Sequence, residues 1–89
     1  MAGKVEYKAS VAKDLRRLDR STALRVLGRI EKALVSEGQK GEPLAGEFAG
    51  MYRLRVGEHR IIYARTDEGY LVLRIGHRRE VYRMGRPEP

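Results

Sequence analysis

Arg53 and Arg55 stand two residues apart in the stretch MYRLRVGEHR, Met51 to Arg60, interleaved with Tyr52, Leu54 and Val56. Side chains alternate across a strand, so the two guanidinium groups share one face and the apolar residues take the other. Arg60 follows a tight GEH connection. In an antiparallel hairpin the ends of both strands meet, which brings Arg60 close to Arg55. Like charges opposed in this way are unfavourable unless an anion lies between them. Guanidinium is planar and grips phosphate with two parallel hydrogen bonds, so the natural anion is a phosphodiester. A second group, GHRREVY from Gly76 to Tyr82, adds His77, Arg78, Glu80 and Tyr82. Read as a strand, it puts Arg78, Glu80 and Tyr82 on one face, from which Tyr82 reaches the same patch. Several arginines beside an aromatic ring suit a phosphate whose neighbouring base stacks.

The rest of the chain limits what such a cluster can belong to. Its 89 residues, 42% hydrophobic and 35% charged, make one domain with a single modest core. That domain is expected over residues 1–86, with 87–89 a short tail. No run approaches the roughly 18 apolar residues of a membrane span, and MAGKVEYKA lacks the apolar centre of a signal peptide, so the expected location is cytoplasmic. With no cysteine and two histidines there is no thiolate chemistry and little from which to build a metal cage, and no cofactor is expected. The net charge is +7, which favours a polyanion or an acidic protein as partner and gives no reason to expect a membrane. From Arg53 to Arg86 the nine basic residues are all arginine, set against four acids.

The elements that must position these groups can be read from periodicity. KVEYKA alternates as a short first strand, and Ser10 is placed to cap a helix over VAKDLRRLD, with Val11, Leu15 and Leu18 on its apolar side. After a break at Asp19–Ser21 a second helix runs from about Thr22 to Gly38, with Leu24, Leu27, Ile30 and Leu34 as its buried stripe. The Gly-rich stretch from Gly38 to Gly50 reads as a connection. Three strands follow, Met51–Val56, Arg60–Arg65 and Tyr70–Ile75, joined as an antiparallel meander. Arg79–Met84 alternates too and would make a last edge strand, with the first strand at the sheet edge or beside it. Leu54, Ile61, Leu71, Leu73 and Ile75 complete the expected core. The fold class is α/β of the α+β type, a two-helix hairpin on a four- to five-stranded, mainly antiparallel, twisted sheet.

This order of elements, with YRLRVGEHRIIY, a DEG turn, an apolar strand and GHRREVY, resembles the RelE branch of the RelE/ParE toxin superfamily across nearly the whole chain. The resemblance implies a RelE-like microbial RNase fold and the toxin role in a type II toxin–antitoxin system. It implies a cognate acidic, RelB-like antitoxin that wraps the toxin in a hetero-oligomer. In the RelE branch it implies ribosome-dependent cleavage of mRNA in the A site, which halts translation. Position by position, the family's basic pair falls on Arg53 and Arg55, its next-strand arginine on Arg60, the arginine of its glycine-basic-arginine motif on Arg78, and its late tyrosine on Tyr82, which stacks on or orients the substrate base. The best-studied members carry lysines where this chain has Arg53 and Arg55.

Cleavage of that kind needs a base for the 2′-hydroxyl, stabilisation of the phosphorane and an acid for the 5′-oxygen. Arginine holds the phosphorane but is a poor base. His77 is the first choice for proton transfer, with His59, Glu58, Glu80 and Tyr82 behind it; alternatively the arginines act by charge alone while ribosomal RNA aligns the substrate. Two other functions fit a +7 domain: a ParE-like toxin that inhibits DNA gyrase by binding, and a non-catalytic nucleic-acid-binding module. Arg16, Arg17, Arg25 and Arg29 read most simply as a solvated helix face, with a secondary part in meeting ribosomal RNA or the antitoxin.

Overall fold

The structure, a computed structural model, describes residues 4–38 and 41–88. Residues 1–3, 39, 40 and 89, which fall in the expected domain start, connecting loop and tail, lie outside that description. KVEY forms strand β1, Lys4–Tyr7, and a turn closed by the Val11 N–H on the Lys8 carbonyl at 2.9 Å leads into helix α1, Ser10–Arg16. Ser10 is thus the first helical residue and not the expected cap. No side chain caps this end, because the turn already occupies the first free N–H. Helix α2, Arg20–Ile30, is capped by Asp19, whose carboxylate accepts the Thr22 N–H and hydroxyl. Those bonds hold the Asp19 carboxyl below its usual range.

Beyond Ile30 the helix widens into a π-helical stretch, Glu31–Ser36, closed by the Glu37 N–H on the Lys32 carbonyl. The buried stripe is Val26, Ile30, Ala33 and Leu34. Leu24, expected in the core, is 58% exposed; it lies two residues before Val26, about 200° around the helix axis, and the wider last turn keeps the stripe on Val26.

The sheet has five strands in the order β1-β5-β4-β3-β2, where β2 is Glu42–Pro43, β3 Met51–Val56, β4 His59–Arg65 and β5 Gly69–His77. Strands β2 to β5 are antiparallel neighbours, and β1 joins β5 in parallel at the edge, making the sheet mixed. Gly69 permits that pairing: it lies at φ 158°, and a Cβ there would strike the Lys4 backbone. Past Val72 the outer edge of β5 has no strand beside it, and the Asp14 carboxylate on α1 accepts the Ile75 N–H at 3.0 Å.

A bulge sets the faces of β5. Ile62 pairs with Arg74 and Tyr63 with Val72, which leaves Leu73 unmatched. Tyr70, Val72 and Ile75 therefore join Leu54, Val56, Ile61 and Tyr63 under the helices. Leu73, with Leu71 beside it, turns to the opposite face, where Met51, Ile62 and Val81 form a second small core. Burying an aliphatic side chain of this size contributes about 1.5–3 kcal/mol, so this face is a packed surface in its own right.

The expected last strand does not form. Residues 78–84 are a series of turns folded back over the second face. The Arg74 guanidinium donates to the Val81 and Gly85 carbonyls at 2.7 and 2.8 Å, and Arg86 donates to Glu47 and Ala49 in and after a 3-10 turn at Gly46–Phe48. With the Val81 carbonyl taken by Arg74, Val81 buried, and successive turn hydrogen bonds running from His77 to Gly85, the segment's backbone groups are committed to turns. Pro87 is buried as well.

Candidate active site

The second face of the sheet carries the arginines. Register places Arg55 directly opposite Arg60 and Arg53 opposite Ile62, while Glu42 on β2 pairs with Arg53. Side chains at opposed positions share a face, so Glu42, Arg53, Arg55 and Arg60 all project to the side of the small core. Arg53 is the centre: its Nη1 donates to the Tyr82 hydroxyl at 3.1 Å and its Nη2 to Glu42 Oε1 at 3.0 Å. The same carboxylate oxygen lies 3.2 Å from Arg55 Nε. Arg55 is 60% exposed and Arg53 24%, so the pair forms the floor and one open wall of a site. Arg53 Nε is buried without an acceptor among the described residues.

Electrostatics follow from these contacts. The hydrogen bond from Arg53, then the charges of Arg55 and Arg53, hold the Glu42 carboxyl below its usual range. Arg53 is pushed up, first by its bond to Tyr82. Both shifts favour the charged forms, the carboxylate of Glu42 and the guanidinium of Arg53. Because the Tyr82 oxygen accepts from Arg53, its own O–H is left to donate elsewhere. The edge-to-face packing of Phe48 at 5.3 Å fixes the Tyr82 ring. Arg60 turns its Nη1 onto the Gly57 and His59 carbonyls, both at 2.9 Å, and pairs with neither Glu58 nor Glu80.

His77 and Arg78 belong to a neighbouring cluster at the sheet end. His77 pairs in register with His59, which faces Val56, a residue of the helix-covered core; alternation thus turns both imidazoles away from Arg53 and Arg55. Their rings stand 5.9 Å apart, His77 Nδ1 accepts the Arg79 N–H, and its Nε2 faces Glu58 at 3.5 Å. Arg78 Nε lies 3.6 Å from the same carboxylate. A cleft of about 690 Å³ between α1, the open edge of β5 and the C-terminal turns contains both histidines but none of Arg53, Arg55, Arg60, Arg78 and Tyr82. Among the described residues no three His, Asp or Glu side chains converge as a metal-binding group.

Sequence reasoning overlooked Glu42, treating it as loop. A signal was present: a residue before proline is biased to extended backbone, and Glu42 precedes Pro43 in the segment that feeds an arginine-bearing strand. Arg74 was overlooked because its partners are carbonyls, which carry no trace in side-chain pattern. Chemically the face offers fixed cations for a phosphate, one ionised carboxylate in contact with them, and one hydroxyl with a proton to give.

Comparison with known proteins identifies the family and the fold. The family model described as the ParE toxin of the type II toxin–antitoxin system, parDE, matches residues 5–82. Among solved structures, the chain is similar to the toxin–antitoxin complex RelBE2 from Mycobacterium tuberculosis, with 26% identity and a TM-score of 0.71 over 86% of this chain and 92% of that one. It shares its fold with the free form of the Escherichia coli toxin RelE, at 20% identity and TM-score 0.69 over 86% and 84% of the two chains. It likewise shares the fold of the RelB–RelE antitoxin–toxin complex from Methanococcus jannaschii, at 22% and 0.68 over 89% and 96%. No curated protein sequence matches it.

Proposed function

Since this chain belongs to the ParE toxin family, within the RelE/ParE superfamily of type II toxin–antitoxin toxins, we propose that it acts as a ribosome-dependent endoribonuclease that cleaves mRNA in the A site and so inhibits translation. The observation that carries this reading is the contact of Arg53 with both Glu42 and Tyr82, at 3.0 and 3.1 Å, beside Arg55 and Arg60 on one open sheet face. In the proposed reaction Glu42 accepts the proton of the 2′-hydroxyl, whose oxygen forms a bond to phosphorus. Arg53 and Arg55 stabilise the negative phosphorane. The bond from phosphorus to the 5′-oxygen then breaks, and the Tyr82 hydroxyl supplies the proton that oxygen takes, leaving a 2′,3′-cyclic phosphate and a 5′-hydroxyl. His77 and Arg78, at the sheet end, serve the flanking RNA in this scheme.

The neutralising partner in this proposal is an acidic, RelB-like antitoxin, in keeping with the +7 charge. Two of the similar structures are themselves toxin–antitoxin complexes. One observation favours a second reading: the matching family model is that of ParE, whose branch is expected to inhibit DNA gyrase by binding without cutting RNA. A translation extract separates the two. Wild-type protein is expected to give ribosome-dependent 5′ ends within codons of a reporter message, lost with Arg53→Ala. An intact message together with inhibited supercoiling by gyrase would establish the second reading instead.

A further inference from the structure

The arginines of the site do not end at the sheet. Strand β2 is two residues long and covers β3 only at Tyr52 and Arg53. The edge beside Leu54 and Arg55 is left open, and there a recess of about 290 Å³ is lined by Arg29, Glu42, Arg53, Leu54 and Arg55. Arg29 comes from α2, on the other layer of the molecule. Three arginines from two layers thus line one recess with a single acidic residue, Glu42. Arg29 makes no ion pair among the described residues. Such a surplus of positive charge is unfavourable when empty and favours a bound anion. One turn earlier on α2, the Arg25 guanidinium lies 3.5 Å from where a Cβ on Gly57 would stand, at the β3–β4 turn that follows Arg55 on the same strand.

We propose that this recess is a second phosphate subsite, in which Arg29, with Arg25 one turn earlier, binds the backbone phosphate next to the one held by Arg53 and Arg55. A single-stranded RNA then passes from the open sheet face around the edge of β3 onto α2. The inference rests on the RNA-cleaving reading. It adds that the ligand is recognised through at least two successive phosphates, and it makes α2 part of the substrate track.

The test is the salt dependence of binding of a fluorescein-labelled eight-nucleotide single-stranded RNA, followed by anisotropy. Each phosphate neutralised on a single strand contributes a slope of about 0.7 in log K against log salt. Arg29→Gln is expected to lower the slope by about that amount and to weaken binding several-fold at low salt, with the circular dichroism and melting temperature of wild type. Arg29→Lys should restore the slope. Arg16→Gln, the same charge change on exposed α1, should leave it alone. If Arg29→Gln keeps the wild-type slope while Arg53→Ala loses RNA, the second subsite is wrong and the cleavage reading stands. Equal losses with Arg16→Gln and Arg29→Gln would mean a diffuse field and overturn the subsite. So would an Arg29→Gln that binds RNA normally but loses an acidic antitoxin. No RNA binding by the wild type would remove both the reading and the subsite.

Discussion

One oxygen of the Glu42 carboxylate meets Arg53 and Arg55 together. In the proposed reaction that gives Glu42 two parts to play: it competes with the phosphate for the arginines, and it accepts the proton of the 2′-hydroxyl. The two roles pull measurable quantities in opposite directions. Glu42→Gln is expected to tighten RNA binding, since a repelling charge is gone, and to slow cleavage by about 100-fold or more, the range for a positioned general base. Its pH dependence is equally specific. Arg53 and Arg55 hold the Glu42 carboxyl below the usual range, so the accepting form persists as pH falls. kcat/KM, which reports groups of the free enzyme, should stay level from about pH 8 to about pH 5.5. A fall centred near pH 6.5 would point to an imidazole base and return the role to His77. The arginines were legible in the sequence because alternation alone fixes their face; Glu42 was not, because its place depends on β2 pairing across a loop.

Among the elements, β3 and β4 were legible in the sequence, β3 from its alternation of arginine with apolar residues and β4 from its run of β-branched and aromatic residues after a Gly-containing turn. β5 was legible as a strand, with Leu73 and Ile75 buried as expected, but not in its faces: the bulge at Leu73 reverses the face of every residue before it, and no local pattern marks where a bulge falls. Residues 79–84 alternate like a strand yet form turns, because Arg74 captures the carbonyls of Val81 and Gly85. That capture also fixes where Tyr82 stands. Arg74→Met is expected to destabilise the fold by about 2–3 kcal/mol, the loss of charged hydrogen bonds to two carbonyls. It should lower cleavage through a displaced Tyr82 while Arg55 still holds RNA, and urea titration beside a cleavage assay reads both. Arg83→Met, an exposed change on the same segment, should move stability by less than about 0.5 kcal/mol.

The Gly41 approach to Tyr63 gives a second test of packing, because a Cβ at Gly41 would collide with the Tyr63 hydroxyl and stand 2.9 Å from the Arg53 carbonyl. Burial pushes the Tyr63 hydroxyl up to about 12. The folded state thus keeps a neutral phenol that the unfolded chain ionises near the ordinary tyrosine value of 10.0. Stability from this group is complete below that value and is lost as pH rises toward about 12. Denaturation midpoints should fall in that window for the wild type and less steeply for Tyr63→Phe.

For the whole molecule, a +7 charge favours polyanionic partners, and Arg53, Arg55 and Arg60 share one face of the sheet. Among the described residues no helix is long and apolar enough to cross a membrane. Helices and the main core cover one face of the sheet; the second face, with its small core and C-terminal turns, leaves Arg55 open beside Glu42 and Tyr82. In the proposed function this second face breaks RNA by attack of the 2′-oxygen. The chemistry of the ends left on a message incubated with ribosomes and protein tests that step. Wild type is expected to leave 2′,3′-cyclic phosphate and 5′-hydroxyl termini, and Glu42→Gln to leave none despite undiminished RNA binding. Uncut RNA, or cuts ending in 3′-hydroxyl and 5′-phosphate, would contradict that step.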